Sequence, residues 1–295
     1  MRVVTSEWDV LVVDLDGTLL CTQGEVSEQN LHALDEVRDC GVEVVVATGR
    51  CFAECRHIVE RINHHGVCIT AGGSKLTDYS GKILARSVID QSISNEVSTK
   101  ILKNNLRCLL LKDSTECETQ YVLVGESPLH QASEWWFDSL GISVLEVSAI
   151  DDDPWPEHTL RVGAVAEEKN LQPIVTELEI ALNGKAKFQH WSAVTSSHAT
   201  GSSIHLLEVF GYTVNKWSML EKHLDGTLQH KRIAAIGDGL NDIELLKEAG
   251  LSIAMENASD AVQEHADVIA GHHDEHGFAH AMQRWILPRL ELEQS

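Results

Sequence analysis

The sequence predicts an α/β fold: a Rossmann-like parallel-sheet core interrupted by an inserted α+β domain. Three observations point to it. Short, continuously apolar strands alternate with amphipathic helices over the first 80 residues. From about residue 80 the candidate strands alternate more and sit beside hairpin-like turns. After about residue 212 the first texture returns. Continuous apolar strands separated by helices imply a parallel sheet covered on both faces, whereas alternating strands suit an antiparallel sheet. The core is therefore expected at 1–80 and 212–295, and the insert at 81–211.

Taken in order, residues 8–13 read as a buried strand. SEQNLHALDEVRDCG places Leu31, Leu34 and Val37 on one helical face, with Ser27 as N-cap. VEVVVATG is a second strand, CFAECRHIVERIN a second helix and VCITAGG a third strand. In the insert, KILARSVI, LRCLLLKD, YVLVGE, TLRVGAVA and KAKFQHW read as strands, and EKNLQPIVTELEIAL as a helix. DDDPWPEH reads as a solvated acidic loop. Gly81 and Gly211 flank the insert and are candidate hinges. Beyond them RIAAIG, LSIAM and DVIAG are strands, while DIELLKEAG, SDAVQEHA and HGFAHAMQRWIL are helices.

Composition narrows the function. The chain of 295 residues is long enough for about two domains. Its formal charge of −22 repels nucleic acid and anionic membrane, so neither is an expected partner. No apolar run approaches the roughly 20 residues of a membrane span, and the first ten residues do not read as a signal peptide. The expected location is the cytoplasm. The seven cysteines include no C-x-x-C pair and read as reduced structural thiols. Oligomeric state is not legible.

The chemistry lies at strand ends. VLVVDLDGTLLC runs four apolar residues straight into Asp14 and Asp16, two like charges that repel unless a cation lies between them. Thr48-Gly49-Arg50 follows the second strand, Lys216 opens a helix, and GDGLND carries Asp238 and Asp242 after a later strand. Ligands bind outside the carboxyl ends of strands in open parallel sheets, so these segments converge. Asp14, Asp16, Asp238 and Asp242 supply the hard oxygen ligands that Mg²⁺ prefers. Thr48 offers a hydroxyl, Gly49 lets backbone approach an anion, and Lys216 offers a charge suited to phosphate.

DLDGTLL, ATGR, a lone lysine before a helix, and GDGLND, in this order, resemble the four motifs of the haloacid-dehalogenase (HAD) superfamily. The insert resembles, in position and size, the type II cap of its Cof-like branch, and AMENASDAVQEHADVI resembles that branch's C-terminal signature. The resemblance implies a HAD core with a cap domain, and a Mg²⁺-dependent phosphatase acting on a small soluble phosphate ester such as a sugar phosphate. It makes Asp14 the nucleophile that forms an aspartyl-phosphate. Asp16 becomes the acid and then the base, its pKa raised by a neighbouring carboxylate. Asp14, the Asp16 carbonyl and Asp238 would hold the metal, with Asp242 acting directly or through water. Thr48, Gly49, Lys216 and Asn241 would hold the phosphoryl group, Asn241 on phosphate or on a metal-bound water. The branch usually has Asn-Gly-Ala after the third strand, where this chain has Gly72-Gly73-Ser74, which bears on substrate contacts rather than chemistry. Rival classes are a phospho-signalling receiver, a single domain without an inserted cap, and a phosphosugar mutase of the same fold.

Other residues have plainer readings. Arg50 either pairs within the core or touches substrate, and Trp217 either packs the helix start, the favoured reading, or lines the pocket. His272, His273 and His276 read as a polar loop rather than a zinc site. His64 and His65, at a helix end, read as partners of its dipole.

Overall fold

The computed structural model describes residues 7–193, 203–226 and 229–287. The chain's first six residues and its last eight, both within the expected core segments, lie outside the described residues. Two sheets carry the fold. The first half of the first sheet is built from β1 (Val10–Val13), helix α1 (Glu28–Asp39), β2 (Glu43–Ala47), helix α2 (Phe52–Arg61) and β3 (Val67–Thr70). The Ser27 hydroxyl accepts from the Asn30 N–H and caps α1, as its spacing predicts. A hairpin of β4 (Lys75–Asp78) and β5 (Ile83–Arg86) extends this sheet antiparallel to β3.

The chain then crosses to a second sheet. It contains α3 (Gln91–Lys103), β6 (Cys108–Lys112), β7 (Tyr121–Val124), α4 (Gln131–Leu140) and β8 (Val144–Val147). β9 (Thr159–Glu167), α5 (Glu168–Ala181), β10 (Ala186–Ser192) and β11 (Ile204–Gly211) complete it. The return adds α6 (Lys216–Leu224), β12 (Ile233–Gly237), α7 (Ile243–Glu248), β13 (Leu251–Ala254), α8 (Asp260–Gln263), β14 (Val268–Ile269) and α9 (Gly277–Ala281).

The first sheet runs β14-β13-β12-β1-β2-β3-β4-β5, parallel from β14 through β3. α1, α2 and α9 bury Leu34, Ile58 and Phe278 on one face; α6 and α7 bury Leu220 and Leu245 on the other. Sequence order reverses at β1, which has β2 on one side and β12 on the other. That switch point opens the crevice where parallel sheets bind ligands.

The second sheet runs β10-β11-β9-β6-β7-β8, antiparallel except between β7 and β8. Its period-two pattern sorts two faces. Val122, Val162, Leu207 and Val209 pack under α3 and α5. Tyr121, Arg161, Glu208 and Gln189 belong to the opposite face, where Tyr121 reaches Glu54 of α2 and Arg161 the Gly49 carbonyl after β2.

Several expectations change here. KILARSVI, read as an insert strand, forms β5 of the first sheet, because Leu76 and Ala85 pair across a tight hairpin. Gly81 is that hairpin's turn and not a hinge; a Cβ on it would strike the Phe52 ring. The chain crosses between sheets at residues 87–90 and 212–215, and Gly211 lies beside the Val88 carbonyl. Asp153 of the acidic loop is not solvated: it is buried in an ion pair with Lys112. His64 is buried, and burial pushes its pKa down to about 4, so it is neutral at pH 7 and does not serve a helix dipole. β4, β8, β11, α3 and α4 had no counterpart in the sequence reading. Among the described residues, no helix is long and apolar enough to cross a membrane.

Candidate active site

Each acidic motif sits where a neighbouring strand of the first sheet ends. Asp14 follows β1 and its backbone N–H donates to the Ile236 carbonyl on β12, which locks the two strand ends together. Residues Leu15–Leu19 then form a tight turn, in which Gly17 has φ +72°. Only glycine fits: a Cβ there would lie 2.2 Å from Asp238 Oδ2. This close approach brings the Asp16 backbone beside Asp238.

The Lys216 ammonium is fully buried and donates to Asp14 Oδ1 and Asp242 Oδ1, at 2.6 Å each. Asn215 caps its helix by accepting from the Ser218 N–H, which fixes the start of α6. The second Asp242 oxygen accepts from the Asp238 and Gly239 N–H groups at 3.2 and 3.0 Å. Asp238 is steadied by the Thr18 hydroxyl at 3.1 Å and by Asn257 Nδ2 at 3.1 Å, while Asn257 also donates to the Gly17 carbonyl. The sequence reading gave Asn257 and Thr18 no role at the site, although both lie inside motifs it quoted.

Carboxylate oxygens of Asp14, Asp238 and Asp242 lie within 4.8 Å of one another. Burial raises Asp14 well above the usual carboxylate range; Lys216 pulls it back, and Asp242 and Asp238 push it up again. Burial and then Asp242 raise Asp238 to about 7. Four carboxylates, counting Asp16, face two cations, Lys216 and Arg50. The remaining negative charge equals what one divalent cation supplies, and the donors are all hard oxygens. The residues present therefore fit a divalent metal.

Asp16 is the main departure. Arg50 holds both its oxygens, Nε donating to Oδ2 at 2.8 Å and Nη2 to Oδ1. Burial favours the neutral acid, but the Arg50 charge and hydrogen bonds outweigh it, and the Asp16 pKa falls below its ordinary value. The expectation that a neighbouring carboxylate raises it is overturned, because its nearest partner is a cation. Arg50 thus pairs with Asp16, and its guanidinium lies 4.9 Å from the Trp136 ring of the second sheet's layer.

Thr48 is buried at the end of β2, where its hydroxyl oxygen accepts from the Arg50 N–H at 3.1 Å, leaving its proton to donate. Gly49 adjoins Asn241: a Cβ on Gly49 would lie 3.3 Å from Asn241 Nδ2. The Gly49 carbonyl accepts from Arg161 Nη1 at 2.7 Å. Trp217 is buried and meets His230 edge to face, so it packs the helix start as expected. His272, His273 and Asp274 cluster, yet their groups are occupied locally: the Asp274 carboxylate binds Thr22, and His273 Nδ1 meets the Leu20 carbonyl.

A buried network above Thr48 and Gly49 went unread. Glu54 of α2 accepts from the Cys51 N–H at 2.7 Å, from Trp136 Nε1 at 2.9 Å and from the Tyr121 hydroxyl at 3.3 Å. Arg161 Nη2 donates to the Tyr121 hydroxyl at 2.9 Å, and Nη1 pairs with Glu208. A signal existed: Arg161 and Glu208 are lone charges inside otherwise apolar strands, TLRVGAVA and IHLLEVFG.

Comparison with known proteins bears on the family and the fold. A family model described as haloacid dehalogenase-like hydrolase matches residues 11–282. A 5-amino-6-(5-phospho-D-ribitylamino)uracil phosphatase of Bacillus subtilis is 30% identical over 94% of this chain and 96% of its own length. An HMP-PP phosphatase of Yersinia pseudotuberculosis is 27% identical over 92% of this chain and 93% of its own. A solved haloacid dehalogenase-like hydrolase from B. subtilis superposes with a TM-score of 0.76, at 21% identity over 94% of this chain and 99% of that one, a likeness of fold.

Proposed function

The chain belongs to the haloacid dehalogenase-like hydrolase family, and from that premise we infer that it is a phosphatase hydrolysing a small soluble phosphomonoester, of the sugar-phosphate kind, through an aspartyl-phosphate. Phosphatases of this family use a divalent metal; we propose Mg²⁺ here. The observation that carries the reading is the buried Asp14–Lys216–Asp242 bridge beside Asp238 at adjoining strand ends.

Asp14 Oδ1 is taken by Lys216, so Oδ2 attacks phosphorus and the bond to the leaving oxygen breaks. Asp16 gives that oxygen a proton, then takes one from the water that cleaves the aspartyl-phosphate and releases phosphate. Arg50 favours the ionised Asp16 needed as base; an entering phosphate dianion opposes Arg50 and raises Asp16 again. The Thr48 hydroxyl, the backbone at Gly49 and the Asn241 side chain hold phosphoryl oxygens, while Lys216 balances their charge and fixes Asp14. The metal would be held by Asp14, Asp238 and the Asp16 carbonyl. Both Asp242 oxygens already have partners, which favours a role through water. Bound Mg²⁺ would neutralise charge on the phosphoryl oxygens.

We further propose that residues from the crossings at 87–90 to 212–215 act as the cap that excludes bulk water. The partner is a small-molecule ester rather than nucleic acid or membrane, and the location is the cytoplasm. Asp14→Asn tests the proposal. Phosphate release with Mg²⁺ should vanish while the circular dichroism spectrum stays unchanged. Turnover by the variant at a comparable rate would remove Asp14 as nucleophile.

A further inference from the structure

The loop after β13 also reaches the metal-side carboxylates, and no step of the phosphoryl chemistry above uses it. β13 runs parallel to β12, with Ala254 opposite Gly237, so the residues just beyond the two strands are neighbours. The Met255 N–H donates to the Gly237 carbonyl at 3.1 Å. Gln263 Nε2, at the end of α8, donates to the Met255 and Glu256 carbonyls at 3.2 and 3.1 Å. These bonds fix the turn that presents Asn257.

The Asn257 amide joins three segments. Nδ2 donates to Asp238 Oδ2 at 3.1 Å and to the Gly17 carbonyl at 2.8 Å, while Oδ1 accepts from the His273 N–H at 3.2 Å. The partners force this orientation: two acceptors need the amide nitrogen, and a backbone N–H needs the oxygen. The third segment is anchored in turn. His273 Nδ1 meets the Leu20 carbonyl at 2.8 Å, and the Asp274 carboxylate takes the Thr22 N–H and hydroxyl at 2.7 and 2.6 Å. Both ends of the brace therefore grip the stretch from Gly17 to Thr22, directly after Asp16.

We propose that Asn257 is a positioning residue for the divalent metal, holding two of its donors, the Asp238 carboxylate and the backbone that carries the Asp16 carbonyl, in fixed relation to each other. This rests on the phosphatase reading above. Thr18 donates to Asp238 Oδ1 and Asn257 to Oδ2, so the carboxylate is held from both sides. Each oxygen keeps lone-pair capacity for a cation. Both donors are neutral, so they orient Asp238 without cancelling its charge, as Arg50 does for Asp16. Side chains that orient a metal ligand in this way commonly set metal affinity.

The test is calorimetric titration of the full chain with Mg²⁺ alone at pH 8, beside melting curves and phosphate release from p-nitrophenyl phosphate. Asn257→Leu keeps the volume and removes all three bonds; Asn257→Ala removes them without apolar bulk. Each should weaken Mg²⁺ binding at least tenfold. Turnover should fall at the Mg²⁺ concentration that saturates wild type and return to within about threefold of wild-type kcat when Mg²⁺ is raised in proportion. A lowered melting point with Mg²⁺ affinity unchanged would overturn the proposal and leave Asn257 a structural brace. A lost rate that no excess of Mg²⁺ restores would overturn it as well. A wild-type protein that binds Mg²⁺ yet releases no phosphate from any ester would instead overturn the phosphatase reading and leave the metal-positioning role standing.

Discussion

Asp16 shows how one neighbour resets a carboxylate. The D-x-D spacing makes it an acid–base candidate, but its bidentate pair with Arg50 depends on residues 34 positions apart. Arg50→Lys keeps the charge and loses the fork, so Asp16 is no longer held in plane. We expect kcat to fall about 10- to 100-fold with the fold intact, checked by steady-state kinetics beside a melting curve. His64 gives a second test. Burial holds it at about 4; one ring nitrogen meets the Val67 carbonyl at 3.0 Å and the other has no partner. The unfolded chain binds this proton below about 6.5, and the folded chain only below about 4. Stability is therefore lost as pH falls from 6.5 to 4, by about 3 kcal/mol in full. Glu208 works the other way: burial raises it to about 7, with Arg161 opposing, so it costs stability as pH rises from about 4.5 to 7. Comparing urea midpoints of wild type and His64→Gln across pH isolates the histidine; equal slopes would refute its burial as a neutral ring.

At the scale of the element, two loops decide the site. The Leu15–Leu19 turn joins β1 to α1 and sets Gly17 against Asp238. Gly17→Ala combines positive φ with a clash against a metal-side carboxylate. It should destabilise by about 2 kcal/mol and weaken divalent-metal binding at least tenfold, readable by calorimetric titration. The Ala71–Gly73 loop explains a departure from the family pattern. A Cβ on Gly72 would lie 2.9 Å from the Phe210 ring, so the cap occupies the room an asparagine would need. Gly72→Asn should cost about 1–3 kcal/mol in thermal or denaturant unfolding, although asparagine tolerates the local backbone. An unchanged midpoint would show that Phe210 yields freely.

For the whole molecule, what matters is how the two sheets meet. Glu54, Tyr121, Trp136 and Arg161 join them directly over Thr48-Gly49, Lys187 pairs with Glu244 across the same interface, and Asp113 bridges Lys75 and Arg86 near the crossing. Glu54→Ala takes the acceptor from three donors, the buried Cys51 N–H and Tyr121 hydroxyl and the part-buried Trp136 Nε1. It should cost about 3 kcal/mol and loosen the cap, so that proteolysis at the crossings 87–90 and 212–215 accelerates. Cleavage at the wild-type rate would mean that the sheets are held elsewhere.

The sequence by itself determined the parallel core, the interruption, and the placing of Asp14, Asp16, Thr48 and Asp238 after apolar strands and of Lys216 at a helix start. Each of these follows from local signals: an apolar strand, the charges at its end, a helix start. The tertiary structure alone decided what those charges face. Arg50 on Asp16, Phe210 over Gly72, Asn257 on Asp238 and the Arg161–Glu208 pair all join residues distant in the chain. β5 went to the first sheet for the same reason, since pairing with β4 rather than its own alternation fixed its place. Periodicity records which face a residue buries; it does not record which partner lies opposite, and at a buried charge that partner sets the chemistry.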